Sequence, residues 1–378
     1  MIDYNKPITN KDGNPLRILM ASHHSCIRVI KRMRALKKLG YAIDGFAHKP
    51  AYGVEEFDIF SLWHNERQFK NYIADNMDKY DIIDYSNEPD HPVKWIKDVV
   101  GNKKKIIVDV HDLDSVRRGV IPIPERDMFN CADSLIYVSM PIQKMTNKLH
   151  KLNIPSIVLY SYCNENTVEY AEEDIPKRHH IIYEGGANPP NDDIANREFA
   201  YRSLYDIIKR LVEMGNETHM FCGNITAFST YQDTGAILYP PTDYDKMMEA
   251  LIKFKYGILI FNNKDGQKQQ VNYTLTNKES EYLHAGLPAL TCWCPESEKH
   301  VKKHGIGFVF SDIEEIGNCS QLEDQYRQVM NNIKTKRKEL VMENYIVLYE
   351  NLVADTLGLE KKGIPENIQK IHDFEFNE

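Results

Sequence analysis

Short apolar runs separated by amphipathic stretches recur along almost the whole chain, and they restrict it to few architectures. In the first part the runs are residues 17–21, 42–47, 81–86, 105–111, 134–139 and 156–162. In the second they are 180–184, 219–223, 237–239, 256–261, 289–293 and 307–310. Each is bounded by turn or charge signals, as the buried strands of a parallel sheet are. Helical patterns lie between them, for example over 27–39 and 202–214. Such alternation predicts α/β structure, with parallel sheets covered by helices on both faces. Two sets of about six runs fit two doubly wound, Rossmann-like domains.

Composition agrees with two domains. A chain of 378 residues has room for them. Hydrophobic content of 42% and charged content of 27% exclude extensive disorder and a large membrane portion. No apolar run approaches the roughly 20 residues that span a bilayer, and residues 1–15 lack the apolar core of a signal peptide. Seven cysteines without paired spacing, apart from Cys292-x-Cys294, argue against a disulfide framework. A reduced, cytoplasmic setting is the expectation. A net charge of −8 argues against a chain built as a whole to bind nucleic acid. The stretch 164–178 is acidic, holds Pro176 and shows no apolar period. It divides the chain into domains 1–165 and 166–340. Residues 334–359 read as long helix, and the tail beyond Ile364 is polar.

The segment from Thr276 to Leu290 carries the most chemistry. It reads as a polar loop, a helix, and a Gly-x-Pro turn into a buried strand. A helix N-terminus offers free N–H groups and a partial positive charge, which suit a diphosphate. Asn277 and Lys278 stand at that mouth with Glu279 beside them, and Glu281 follows within a turn, in reach of a ribose hydroxyl. Gly286 and Pro288 end the helix. On these features alone an ordinary helix–turn–strand unit fits equally well.

Lys278, Glu281, Tyr282, Gly286 and Pro288 resemble, in order and spacing, the nucleotide-sugar signature of retaining, family-4-like glycosyltransferases of the GT-B fold. That resemblance implies two Rossmann-like domains facing each other across a cleft, with a C-terminal segment, 341–378, crossing back to the first domain. It implies an N-terminal acceptor domain and a C-terminal donor domain. Many members carry an earlier Glu as well; Tyr273 occupies that place here. Within the resemblance, the Gly pair Gly185–Gly186 lines the cleft at the donor, and Gly223 lies beside the nucleotide. Arg202 or Arg197 clamps the diphosphate. Residues 239–244, Tyr244 included, cap the base, and 265–270 form a loop near the sugar. The alternatives are plain turns, exposed arginines and a helix cap at Thr242 or Asp243.

On the acceptor side, the run ending Val110-His111-Asp112 resembles a family strand whose His enters the cleft. His111 is then expected to position a sugar or acceptor hydroxyl. With Lys278 and Arg202 it completes the expected catalytic set. Asp112-x-Asp114 matches a metal motif of a different fold and is read as coincidence; no cofactor is expected. The first loop, Ser22-His23-His24-Ser25-Cys26, has no Gly. Ser22, His23, His24 and Arg28 are candidates for substrate contact, with a polar turn capped by Ser25 as the alternative. Tyr85 and Ser86 are further candidates of that type, whereas Asp109 reads as structural. The helix at 27–39 has an apolar stripe ringed by Arg28, Lys31, Arg32, Arg34, Lys37 and Lys38. Lys103 to Lys105 add a second basic cluster. A ring of this kind is a solvated face, or a contact to anionic membrane or DNA.

The expected activity is transfer of a sugar from a nucleotide sugar to an acceptor hydroxyl, with retention implied by the resemblance. The acceptor is a saccharide, a lipid-linked saccharide or a modified nucleobase. The competing readings are a nucleotide-sugar epimerase and a non-catalytic binding module of the same fold.

Overall fold

The computed structural model describes residues 3–165, 167–169, 180–189, 199–223, 225–266 and 269–376. The chain forms two units, one of Met1–Asn164 with Val341–Glu378 and the other of Glu165–Leu340. Three helices matter below: α1 (Ile27–Lys38), α2 (Asn277–Ala285) and α3 (Met342–Leu357).

Among the described residues, the first unit is built on seven parallel strands. They are β1 (Arg17–His24), β2 (Ala42–Lys49), β3 (Phe60–Leu62), β4 (Ile82–Ser86), β5 (Lys105–Val110), β6 (Ser134–Tyr137) and β7 (Ser156–Val158). Their order is β3-β2-β1-β4-β5-β6-β7. The order reverses between β1 and β4, so the ligand position of a doubly wound sheet falls at the carboxyl ends of those strands. β4 is buried along its whole length, as a central strand covered on both faces must be. α3 joins this unit through buried Tyr345 and Tyr349. Its Glu350 accepts from Tyr41 Oη at 2.5 Å and pairs with Lys362 Nζ at 2.5 Å.

Among the described residues, the second unit has six strands in the order β10-β9-β8-β11-β12-β13. They are β8 (Ile181–Gly185), β9 (Thr218–Cys222), β10 (Ile237–Tyr239), β11 (Tyr256–Ile260), β12 (Ala289–Cys292) and β13 (Gly307–Val309). Here the reversal lies between β8 and β11. α2 packs on this sheet through Tyr282, which has no exposed surface. A Cβ on Gly257 would meet its ring at 2.4 Å, so that strand position must be glycine. Tyr282 Oη bonds the backbone of two strands, accepting from Glu184 N and donating to Ile258 O at 3.1 Å. The signature tyrosine therefore locks helix to sheet. Gly286 ends α2 at φ 74°, and Leu287 N–H donates to Tyr282 O at 2.8 Å.

Two expectations are corrected. Ser25 does not cap α1: the N-cap is Cys26, and Ser25 Oγ accepts from Ala51 N at 3.1 Å, tying the loop to the chain after β2. The basic ring of α1 is largely spent inside the unit. Arg28, Lys31 and Arg32 are buried, Arg34 pairs with Glu56, and Lys37 with Asp58 at 2.7 Å. Of the second cluster, Lys104 Nζ donates to Tyr80 O and Lys105 pairs with Asp133. The feature from which membrane or DNA contact was expected thus consists mostly of neutralised charge. Among the described residues, no helix is long and apolar enough to cross a membrane.

Candidate functional site

The second unit gathers most of the expected donor residues at its switch point. β8 ends in Gly185, whose φ of 113° favours glycine. A Cβ there would lie 2.9 Å from Lys278 Cε and Nζ. Lys278 reaches across from the first turn of α2 and its ammonium rests directly over the glycine backbone. It sits 5.3 Å from the ring centre of Tyr183 and 5.5 Å from that of Phe261, within cation–π range. Among the described residues it has no carboxylate partner. A positive charge held by two aromatic faces and lacking a counter-charge is suited to an anion from outside.

Gly186 and Gly223 complete the floor. A Cβ on Gly223 would stand 3.0 Å from Gly185 O and 3.1 Å from Gly186 Cα. The three glycines let the loops after β8 and β9 touch through backbone alone, and Gly223 N–H donates to Gly185 O. Arg202 approaches from the other side: its Nη1 would lie 3.5 Å from a Cβ on Gly186. The Arg202 guanidinium is 5.5 Å from the rings of Phe199 and Tyr201. The N-terminus of α2 adds its own polarity. Thr276 is in the N-cap position but its side chain caps nothing, and its Oγ1 is buried without a hydrogen-bond partner. Two cations, a helix N-terminus and a side-chain-free floor are thus gathered in one place, a cradle of the kind that suits a diphosphate.

The other donor candidates lie around this cradle in different settings. Asn277 is half-buried at the start of α2, and Glu281 is buried three residues beyond Lys278, on the same helix face. Glu279 is buried and its carboxylate is engaged by His300 Nδ1, which places it against the neighbouring helix rather than at a nucleotide. Tyr244 is buried at the start of its helix, and Tyr239 stacks on Phe221, so the exposed part of the expected base cap is 240–243. Arg197 and residues 267–268 lie outside the described residues.

In the first unit, His111 follows the last residue of β5. Its backbone N–H donates to Asn87 Oδ1 at 2.7 Å, and its Nε2 is 3.0 Å from Asp109 Oδ2. Asp109 is itself fully buried and gripped by two arginines. Arg28 contacts it through Nε and Nη2 at 2.9–3.1 Å, and Arg32 Nη1 lies at 2.6 Å. Arg32 also pairs with Asp84 at 3.0 Å. Burial alone would push Asp109 up, but Arg28, Arg32 and His111 outweigh it and hold the carboxyl well below the ordinary range. The aspartate thereby fixes the orientation of His111 while staying charged. Asp112 pairs with Arg117 at 2.7 Å, and Asp114 lies 3.6 Å from the same guanidinium.

Arg28, expected to contact substrate, is 4% exposed and committed to Asp109, so its visible role is to build this network. Tyr85 is also corrected: it is wholly buried and its hydroxyl donates to Pro89 O at 2.8 Å, within the loop that follows β4. Ser22 and Ser86 are buried at the ends of β1 and β4. His23 and His24 do reach the carboxyl edge of the sheet, their Nδ1 atoms 2.8 Å apart. His23 stacks on His48 at 4.7 Å and meets Trp63 edge-on. Burial, then His24 and His48, lower the pKa of His23 to about 4, so it is neutral at physiological pH.

The sequence reading missed His48, Trp63 and Asp90. His48 lies at the carboxyl end of β2, the same kind of position that singled out His111, and was legible on that rule. Burial pushes Asp90 up to about 7, against a lowering hydrogen bond from Asn87 and with Asp114 and Glu125 adding to the rise. Nothing in its local sequence distinguished it. Tyr183 and Phe261, the aromatic faces that hold Lys278, were hidden in apolar strands.

Comparison with known proteins bears on this geometry. Residues 226–348 match the family model described as glucosyltransferase 3-like, C-terminal domain. No curated protein matches the chain by sequence. Among solved structures, HepE from Anabaena, in complex with UDP-glucose, superposes with a TM-score of 0.64 at 11% identity. The match covers 91% of this chain and 99% of that one. Sucrose-phosphate synthase from Thermosynechococcus elongatus gives 0.62 at 11% identity, with the same coverage. WaaG, a glycosyltransferase involved in lipopolysaccharide biosynthesis, gives 0.57 at 9% identity over 88% of this chain and 99% of that one. The fold is that of a GT-B glycosyltransferase. The matched segment includes Lys278, Glu281 and the whole of α2, and runs on past the second unit into α3.

Proposed function

We propose that this GT-B protein transfers a sugar from a nucleoside diphosphate sugar to an acceptor hydroxyl, and that the acceptor is a saccharide. The observation that carries the reading is Lys278 Nζ, held over the Gly185 backbone without a counter-charge among the described residues, near Arg202 and the N-terminus of α2. As the bond from the anomeric carbon to the diphosphate breaks, negative charge grows on the leaving oxygen. Lys278 and the backbone N–H groups of α2 are assigned to receive it, with Arg202 beside them. Preset charge of this kind, which needs no reorganisation during the reaction, is often the largest catalytic contribution. No metal is given a part in the step.

His111 is assigned to hold a sugar or acceptor hydroxyl. With Nε2 directed to Asp109, its Nδ1 is the ring nitrogen left to accept a hydrogen bond. Glu281 is assigned to a ribose hydroxyl of the donor. Retention of configuration is supported by the likeness of the α2 segment to the retaining signature. HepE binds UDP-glucose, which makes UDP-glucose the first donor to try. The pairing of the α1 charges removes the feature that had favoured a DNA or membrane-bound acceptor and supports a saccharide instead.

The test is turnover followed by mass spectrometry, with each nucleotide sugar in the presence and absence of oligosaccharide acceptors. Acceptor-dependent release of nucleoside diphosphate with a glycosylated product supports transfer. Conversion of the donor sugar without acceptor would instead indicate an epimerase. Binding without conversion in either condition would indicate a binding module.

A further inference from the structure

The end of the second sheet away from the cradle carries a separate constellation. His180 immediately precedes β8, Glu217 immediately precedes β9, and His219 is the second residue of β9. The two strands run parallel with Ile181 opposite Thr218 and Ile182 opposite His219. That register sets the three side chains together at the amino-terminal edge of the sheet. Gly185 lies five residues beyond His180, about 16 Å at the rise of an extended strand. This cluster therefore has no part in the diphosphate cradle.

The donor atoms converge. His180 Nδ1 is 2.8 Å from Glu217 Oε1, and His219 Nε2 is 3.0 Å from the same oxygen. All three ligand atoms lie within 4.8 Å of one another. The His180 contact has an ion-pair distance but not the directionality of a hydrogen bond, and that nitrogen is buried without a hydrogen-bond partner among the described residues. His219 is held from behind. Its Nδ1 is 2.9 Å from Tyr239 Oη, and its ring meets Phe254 edge-on at 4.9 Å. A histidine oriented through one ring nitrogen, with the other aimed at a carboxylate and a second histidine, has the geometry of a metal ligand with its outer support in place.

We infer that His180, Glu217 and His219 form a three-ligand site for a divalent transition cation, and that zinc is the ion this donor set suits. Two imidazoles and a carboxylate match the preference of zinc for nitrogen with one hard oxygen. Bonds of about 2.0–2.1 Å in a tetrahedron put donor atoms about 3.3 Å apart. The present separations to Glu217 need to widen by only a few tenths of an ångström. The fourth position stays open to water, because His180 and Glu217 are both partly exposed. The ion would clip the start of β8 to the start of β9. Its effect is structural, on the edge of the donor sheet, and does not depend on the proposed transfer.

The chain, stripped with chelator, is equilibrated with Zn²⁺ and its bound metal counted after desalting, with affinity measured by competition against a chromophoric chelator. Wild type is expected to hold one equivalent that is lost in H180A, E217A and H219A, with a zinc-dependent rise in Tm lost in parallel. Y239F is expected to weaken affinity by about 10-fold or more. His219 is nearly buried, and H219A can fail to fold. H180A and E217A alter partly exposed side chains and carry the test in that event. The inference is overturned if wild type takes up no zinc, or if H180A and E217A retain the same number of equivalents at the same affinity. The second result would place any bound zinc elsewhere and leave Glu217 as a carboxylate hydrogen-bonded to His219 with His180 beside it.

Discussion

Substituting Gly185 by alanine separates the two demands that this position meets. Its φ of 113° is one that an L-residue adopts only under strain, costing roughly 1–3 kcal/mol. At about 2–4 °C per kcal/mol for a unit of this size, G185A should melt a few degrees lower than wild type. The new methyl also occupies the place of the Lys278 terminus, 2.9 Å from both Cε and Nζ. That end is flexible, so it moves aside and the ammonium leaves the diphosphate position. Loss of one charge-assisted hydrogen bond is worth about 1.5–3 kcal/mol, or roughly a 10- to 150-fold rise in Kd. Calorimetric titration with UDP, and with GDP and ADP in parallel, reads the effect. K278A should lose a similar factor. The double variant should be scarcely weaker than either single one, because both substitutions remove the same contact. UDP binding by G185A within twofold of wild type would refute the reasoning, as would losses that multiply in the double variant.

Three further outcomes follow from the same geometry. H111A should lower kcat at least about 10-fold while leaving the Kd for the nucleoside diphosphate unchanged, as read by steady-state kinetics beside titration; equal losses in both would assign His111 to donor binding. R32M strips a partner from Asp84 and Asp109, both fully buried, and should cost about 3–5 kcal/mol in urea unfolding. His23 is neutral in the folded chain because its pKa is lowered to about 4. In the unfolded chain it takes up a proton near its ordinary value of 6.5, so the unfolded state binds more protons between the two. The stability His23 contributes is complete above about pH 6.5 and erodes as pH falls toward 4, and H23Q should flatten that part of the stability–pH curve.

Much of the architecture was legible because a buried parallel strand leaves a mark in the chain. The apolar runs at 17–21, 256–261 and 289–293 correspond to β1, β11 and β12. β3 was missed because Phe-Ser-Leu is a three-residue edge strand with no run to see. β1 proved longer than its apolar run, since Ser22 and His24 continue the pairing with β2 although they are polar. Lys278 and the glycines were legible as a helix mouth and loop ends. Their convergence was not, because it depends on a side chain crossing from α2 to β8. The basic helix misled for the same reason. A periodic ring of cations looks solvated until Asp84 and Asp109, supplied by β4 and β5, are placed beneath Arg28 and Arg32. Tyr85 misled because its alternation along β4 does not reveal which face a loop later covers.

The most direct test of the diphosphate cradle is a thermal-shift screen of wild type and K278A against UDP-, GDP-, ADP- and dTDP-sugars, with the free diphosphates and the bare nucleosides alongside. A ligand well above its Kd should stabilise the folded chain by roughly 2–4 kcal/mol. The cradle predicts a shift in wild type with one nucleotide, present for the sugar and the free diphosphate, absent for the nucleoside, and largely lost in K278A. Folded wild-type protein that shifts with none of them, or a K278A variant that shifts as wild type does, would contradict it.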